Sequence, residues 1–312
     1  MIFLDEEHVQ ALLRWDELFP VMKKALIDFS AGRVIQPVRT AIPVPKQGAF
    51  FGIMPAVYGD VMGTKLVSVF PRNVQRGLHT HLAMIYLFRA DTGEALAAMD
   101  GRVITAWRTA AVSGIATQAL SSEDARVLAI LGSGVQARTH LEALKLVRSF
   151  GEVRVWSRTP EHAQRFAAET GATYTSAERA VRGADVIVTV TNADEPILDG
   201  AWLKQGAHVN AVGAVGPKSR ELNDDAMKNA VVIVESREAA LQESAEITHS
   251  GAQIYAELGE VLASIKRKPQ GKTTVFKSLG IAAEDVAAGA LVYERAMETC
   301  QQATGARQGG AA

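Results

Sequence analysis

From about residue 125 onward, short apolar runs alternate with amphipathic stretches of helical spacing. No other feature constrains the fold as tightly. The runs are RVLAIL (126–131), VRVW (153–156), DVIVTV (185–190), HVNAVG (208–213), VVIV (231–234) and TVF (274–276). Their apolar character is nearly continuous rather than alternating, so each predicts a strand buried on both faces. Strands joined by helices in this way predict a doubly wound, parallel α/β sheet.

The first run leads into Gly132-Ser133-Gly134-Val135-Gln136-Ala137, which opens a helix. Gly132 permits a tight turn, and Gly134 lets a pyrophosphate approach the backbone. Ala137 lets helix and strand pack closely, while Val135 and Gln136 occupy the first turn. In this context the motif predicts a Rossmann-type domain that binds a dinucleotide at a helix N-terminus. NAD-binding domains place an acid at the end of the second strand, about 20 residues on, to hold the ribose 2′-hydroxyl. Here Glu152 precedes VRVW, and the strand ends in Ser157-Arg158-Thr159. Two hydroxyls and a guanidinium suit a 2′-phosphate. The expected cofactor is NADPH, with NADH the alternative.

The first hundred residues have another texture. Val9, Leu12, Leu13, Leu18, Met22, Ala25 and Leu26 recur at helical spacing over residues 5–30. Residues 33–100 are strand-like, with segments RVIQPVRTAIPV, KLVSVF and LAMIYLF punctuated by Pro and Gly. Residues 104–120 predict an Ala-rich helix, and 282–299 a final one. The polar stretch SSEDA (121–125) marks a boundary. The expected organisation is a Rossmann domain over 123–280 and a second, mixed α/β domain that is discontinuous, from 1–122 and 281–312. The last dozen residues, QQATGARQGGAA, are expected to fray.

A length of 312 residues suits two domains. Lys plus Arg number 33 against 34 Asp plus Glu, a net charge of −1. That balance argues against a nucleic-acid footprint and against a polybasic membrane anchor. No apolar run reaches the length of about 18 residues that a spanning helix needs. The start, MIFLDEEHVQ, meets Asp5, Glu6 and Glu7 at once, so no signal peptide is expected. The single cysteine, Cys300, excludes an intramolecular disulfide and a Cys-based zinc site, and suits the cytoplasm. His79 and His81 alternate in HTH and are expected to share a strand face. No third ligand is suggested, so no metal is expected.

Many ordered segments are similar to the ornithine cyclodeaminase/mu-crystallin family: FFGIMPA (50–56), GTKLV (63–67), MDGRVITAWRTAAVSGIAT (99–117), ILGSGVQA (130–137), VRVWSRT (153–159), DVIVTVT (185–191), GAHVNAVGA (206–214), REL (220–222) and KTTVFKSLG (272–280). The resemblance spans nearly the whole chain. It implies a Rossmann domain plus a second domain that forms a homodimer, with the site between them. It also implies an imino- or amino-acid carboxylate as ligand, held by Arg39, Lys65 and Arg108. Two departures narrow the activity. Cyclodeaminases of the family resemble IELMP where this chain has Phe51-Gly52-Ile53-Met54-Pro55, so their acid is Gly52 here. Their catalytic Asp aligns with Val215, and valine cannot act as a general base. WSRT, KTTVFKSLG and the LQESAE segment resemble the mu-crystallin-like branch, and that resemblance, with the related bacterial enzymes, implies reduction of cyclic ketimines or dehydrogenation of amino acids.

The expected activity is therefore NADPH-dependent reduction of a cyclic imino acid such as Δ1-pyrroline-2-carboxylate or Δ1-piperideine-2-carboxylate. The alternatives are an NAD(P)-dependent amino-acid dehydrogenase such as alanine dehydrogenase, a cofactor-dependent ligand-binding protein with little turnover and, disfavoured by Val215, an ornithine cyclodeaminase. Arg39 and Arg108 would fork onto the carboxylate. Arg108 is expected near a helix start, where the dipole adds positive field. Lys65 would bind the carboxylate, protonate the imine nitrogen, or both; a desolvated lysine moves towards neutral pKa. Glu243, in LQESAE, is a candidate for the substrate nitrogen. His81, Thr109, Thr189, Thr191, Val212 and Ser278 are candidates for the cofactor. Glu257 and Glu260 are expected to be structural.

Overall fold

The structure, a computed structural model, describes the backbone of residues 1–309 and the side chains of 1–302; part of the expected frayed tail lies outside these. The chain divides into two compact units, Met1–Arg108 with Ile281–Ala312, and Thr109–Gly280.

The first unit begins with β1 (Ile2–Leu4), α1 (Glu6–Leu12) and α2 (Trp15–Ser30). Strands β2 (Val34–Ile35), β3 (Thr40–Val44), β4 (Ala49–Tyr58), β5 (Val61–Val69), β6 (His81–Arg89) and β7 (Ala95–Asp100) follow. They form a seven-stranded sheet in the order β1-β7-β6-β5-β4-β2, with β3 also on β4. The central pairs are antiparallel, and Lys65 on β5 stands opposite Met54 on β4 and Ile85 on β6. Side chains alternate between faces along a strand. The inward row therefore carries Met54, Ala56, Val67, Ala83, Ile85 and Leu87, all buried, with Lys65 set among them. Helix α3 (Gly101–Leu120) follows; the division between units falls within it, before the SSEDA stretch.

The second unit is built from β8 (Val127–Leu131), α4 (Val135–Val147), β9 (Glu152–Trp156), α5 (Pro160–Thr170), β10 (Thr173–Tyr174), α6 (Ala177–Val181), β11 (Val186–Thr189), β12 (His208–Ala211), α7 (Asp224–Lys228), β13 (Val231–Val234), α8 (Arg237–Glu243), α9 (Ala245–Ser250), β14 (Ile254–Glu257), α10 (Leu258–Leu262) and β15 (Thr274–Lys277). All eight strands are parallel, in the order β10-β9-β8-β11-β12-β15-β13-β14. Each of the six apolar runs became a strand. The short edge strands β10 and β14 carried no such run, because an edge is covered on fewer sides. Leu128 and Ile130 pack into one core, Ala129 and Leu131 into another, so the sheet is buried on both faces. Strand order reverses between β8 and β11, which opens a crevice at their C-terminal ends.

Helix α11 (Ala282–Gly309) returns to the first unit, packing on α2 and across β4, β5 and β6. Gly63 makes that approach possible. A Cβ there would lie 2.6 Å from the Tyr86 carbonyl oxygen and 3.2 Å from Val286 Cγ2. The first turn of α11 is also tied by Ala283 N–H, which donates to Gln36 Oε1 at 2.8 Å.

Candidate active site

The close seating of α11 sets its first-turn acids against the cations of the first unit. Lys65 Nζ lies 2.7 Å from Asp285 Oδ2. Arg108 donates from Nε to Asp285 Oδ1 at 3.0 Å and from Nη1 to Glu284 Oε2 at 2.9 Å. Lys65 is 2% exposed, Arg108 4%, and both acids 0%. Burying charges at this density is costly unless each is paired.

Asp285 is the one polar partner of Lys65 among the described residues. An ammonium has three N–H donors, so Lys65 keeps donor capacity for a ligand. Burial pulls the Lys65 pKa down to about 8, helped by the positive Arg108 and Arg39 and resisted by Asp285. Burial alone would raise the Asp285 carboxyl; Lys65 and Arg108 outweigh it and hold it below the usual carboxylate range. His81, the first residue of β6, is pulled to about 4 by burial and by Lys65 and Arg108, so it is neutral at pH 7. Arg39 is half-buried and adds its charge to the cluster.

Two expectations need correction. Arg108 is in the middle of α3, not near its start at Gly101. A helix dipole falls off within the first turn, so the positive field comes from the side chains. His79 lies outside β6 and is exposed, so it shares no strand face with His81.

At Gly52, the room a side chain would need is filled by Val67 Cγ1, 2.8 Å from the Cβ position. Val215 is 36% exposed. Glu243 ends α8 in the second unit, half-buried, and its backbone carbonyl accepts from Gly216 N–H at 2.8 Å. Glu257 and Glu260 form a capping box on α10, a structural role.

In the second unit, Gly132 sits at φ +131°, and a Cβ there would lie 2.6 Å from the Val190 carbonyl oxygen. Only glycine fits where the loops after β8 and β11 meet. Gly134 is the N-cap of α4 and brings no side chain to the first-turn N–H groups. Val135 is exposed, Gln136 half-buried and Ala137 buried beneath. These features fit a dinucleotide pyrophosphate. Ser157 and Thr159 are half-buried and Arg158 is exposed at the end of β9, with Thr159 the N-cap of α5.

The other cofactor candidates are buried or committed to protein partners. Thr109 is 6% and Val212 8% exposed. Thr189 and Thr191 donate through their hydroxyls to Glu221, each at 2.7 Å. Ser278 Oγ donates to Glu235 Oε1 at 2.7 Å. Glu235 also accepts from Leu279 N–H at 2.9 Å and Gly280 N–H at 3.2 Å. Lys277 Nζ donates to the Ala214 carbonyl at 2.5 Å and lies 3.4 Å from Glu246 Oε2.

Sequence reasoning missed these supporting acids. Glu284 and Asp285 carried one signal, two adjacent acids among small and apolar residues in AAEDVAAGA. Glu221 and Glu235 look like ordinary surface acids.

A profile of the ornithine cyclodeaminase/mu-crystallin family matches residues 1–300. The chain belongs to this family. It is 50% identical over 301 residues to ketimine reductase mu-crystallin of Mus musculus, covering 94% of this chain and 96% of that one. The structure of Thermococcus litoralis Δ1-pyrroline-2-carboxylate reductase in complex with NADH and L-proline matches with a TM-score of 0.91 at 35% identity, over 96% of this chain and 98% of that one. An archaeal alanine dehydrogenase dimer with bound NAD matches with a TM-score of 0.90 at 32% identity, over 95% and 96%.

Proposed function

We propose that this family member is an NAD(P)H-dependent reductase of cyclic imino acids, with NADPH as its preferred cofactor. The observation that carries the reading is the buried Lys65 ammonium, paired with Asp285 and flanked by Arg108. Such a group is poised for an anion that also presents a basic nitrogen.

Arg39 and Arg108 bind the substrate carboxylate, where planar guanidinium forks give orientation as well as charge. Lys65 gives a proton to the imine nitrogen, which makes the adjacent carbon a better hydride acceptor. A reduced nicotinamide supplies the hydride when bound. The product is the cyclic amino acid, with one new C–H and one new N–H bond. Gly132, Gly134 and the first turn of α4 hold the pyrophosphate; Ser157, Arg158 and Thr159 hold a 2′-phosphate.

The assay is loss of NADPH absorbance with a panel of cyclic ketimines, α-keto acids plus ammonia, and ornithine. Turnover with a ketimine carboxylate, lost by about 10²-fold or more in Lys65→Met with NADPH binding kept, supports the reading. Absence of turnover with every imine overturns it. The likeness to an alanine dehydrogenase favours amino-acid dehydrogenation as the second reading, for which keto acid plus ammonia is the diagnostic pair.

We also propose a homodimer working in the cytoplasm. The outward face of the first-unit sheet is apolar in register, with Phe51, Ile53 and Pro55 on β4 and Leu66, Met84 and Tyr86 across β5 and β6. Ile42, Val57 and Leu82 on the same face are 46%, 38% and 41% exposed. A face of this kind fits a second copy of the chain. Sedimentation should give a dimer that Leu66→Glu converts to monomer; a wild-type monomer overturns it.

A further inference from the structure

We propose that Asp285 and Glu284, the adjacent acids that open α11, are positioning residues of the reductive site: Asp285 locks Lys65 and Arg108 into one fixed pair, and Glu284 sets the rotation of the guanidinium. This rests on the proposed role of Lys65 as proton donor.

Asp285 divides its two oxygens between two cations. Oδ2 is 2.7 Å from Lys65 Nζ, and Oδ1 accepts from Arg108 Nε at 3.0 Å. The separation of the proton donor and a carboxylate ligand is thereby set by one rigid group. Glu284 Oε2 takes Arg108 Nη1 at 2.9 Å, a second point that stops the guanidinium turning about its Nε contact. The acids cannot drift, because Gly63 and Gln36 seat the first turn of α11 on the sheet.

The arrangement costs more than an apolar core would, since four charges lose their water. A core that served stability alone would be as well filled by hydrocarbon. The pairing instead serves the chemistry. Among the described residues, the groups that act most strongly on Lys65 are Asp285 from α11, Arg108 from α3 and Arg39 ahead of β3, and Lys65 in turn acts on His81 of β6. Burial and both arginines drive the proton off Lys65, and His81 is neutral. Asp285 is the group that keeps Lys65 charged until an imine arrives. It does not itself donate, because the same cations hold it ionised.

The test is the pH profile of kcat/KM with a ketimine carboxylate and NADPH, for wild type, D285N, D285E and E284Q. The wild-type profile should fall on the alkaline side as Lys65 loses its proton. D285N should lower kcat by about 10²-fold and move the alkaline limb at least about one pH unit lower, with NADPH affinity unchanged. E284Q should raise KM for the ketimine and leave the limb in place. An unmoved limb in D285N, with a uniform loss of rate, overturns the proposal while wild-type turnover keeps the reductase reading intact. Should D285N not fold, D285E decides, since it keeps the charge and moves it by one methylene. A limb held in place with reduced kcat then supports the proposal, and wild-type kcat overturns it. A wild type without ketimine turnover defeats the functional reading instead.

Discussion

The Glu221 carboxylate accepts a hydrogen bond of 2.7 Å from the backbone N–H of Gly213, and so ties the end of β12 to the end of β11. Its other contacts are donors too: the Thr189 hydroxyl at 2.7 Å, the Thr191 N–H at 2.6 Å and the Thr191 hydroxyl at 2.7 Å. Burial pushes its carboxyl pKa up, opposed by Lys277 and these donors. Strand β11 borders the crevice at the strand-order reversal, and β12 is its parallel neighbour. Glu221→Gln would turn an N–H₂ towards groups that all offer hydrogens. We expect a loss of about 1–3 kcal/mol in chemical denaturation, with weaker cofactor binding by calorimetry. A variant of unchanged stability and affinity would show that the tie is dispensable.

Gly132→Ala should fail more severely at the cofactor than in the fold. The residue sits at φ +131°, and the added Cβ meets the Val190 backbone, which has no side-chain rotamer to relieve the overlap. A strained backbone of this kind costs on the order of 1–3 kcal/mol. The expected result is a lower Tm and dinucleotide affinity lost by more than the Tm change explains. Wild-type affinity would count against the crevice as the dinucleotide site.

Arg158→Ala separates the two nicotinamide cofactors. The side chain is exposed at the end of β9, so its removal should leave the fold unperturbed. A lost guanidinium–phosphate contact weakens NADPH binding by roughly 10–100-fold, while NADH affinity stays level. Equal effects on both cofactors, or an NADH preference in the wild type, would refute the 2′-phosphate role.

Acid stability should depend on Asp28 at the end of α2. Burial raises its carboxyl, but Lys24, Tyr58 and Arg33 more than offset this and lower it from 3.8 to about 2. A carboxyl depressed in the folded state adds stability that is complete above its unfolded pKa and fades as pH falls through the folded one. The contribution should therefore decline between pH 3.8 and about 2. Lys24 and Arg33 are exposed partners, so its size is about 1–2 kcal/mol. Urea melts of wild type and Asp28→Asn should differ at neutral pH and converge near pH 2; parallel curves across that range would exclude the linkage.

The strands and the glycine turn after β8 were legible in the sequence because they depend on local pattern. An apolar run covered on both faces must be continuous, and a loop that meets another backbone needs glycine, so 126–131 and Gly132 announce themselves. Only family resemblance singles out Arg39, Lys65 and Arg108 as candidates; spacing alone gives an isolated Lys or Arg no distinction from a surface charge. Arg108 was placed on the right helix but at the wrong depth, because Ala-rich periodicity leaves a helix start indistinct.

What the sequence determined by itself was the alternation, the turn chemistry and the types of charge available. What only the tertiary structure decided was which acids neutralise which cations. Asp285 and Glu284 reach Lys65 and Arg108 because α11 packs back across β5, and Gly63 lets it come close. Glu221 reaches Gly213 and Thr191 through a loop whose path no local rule dictates. Ion pairs and buried carboxylates depend on where distant segments stop in space. Chain folding sets that geometry, and a one-dimensional pattern holds no record of it.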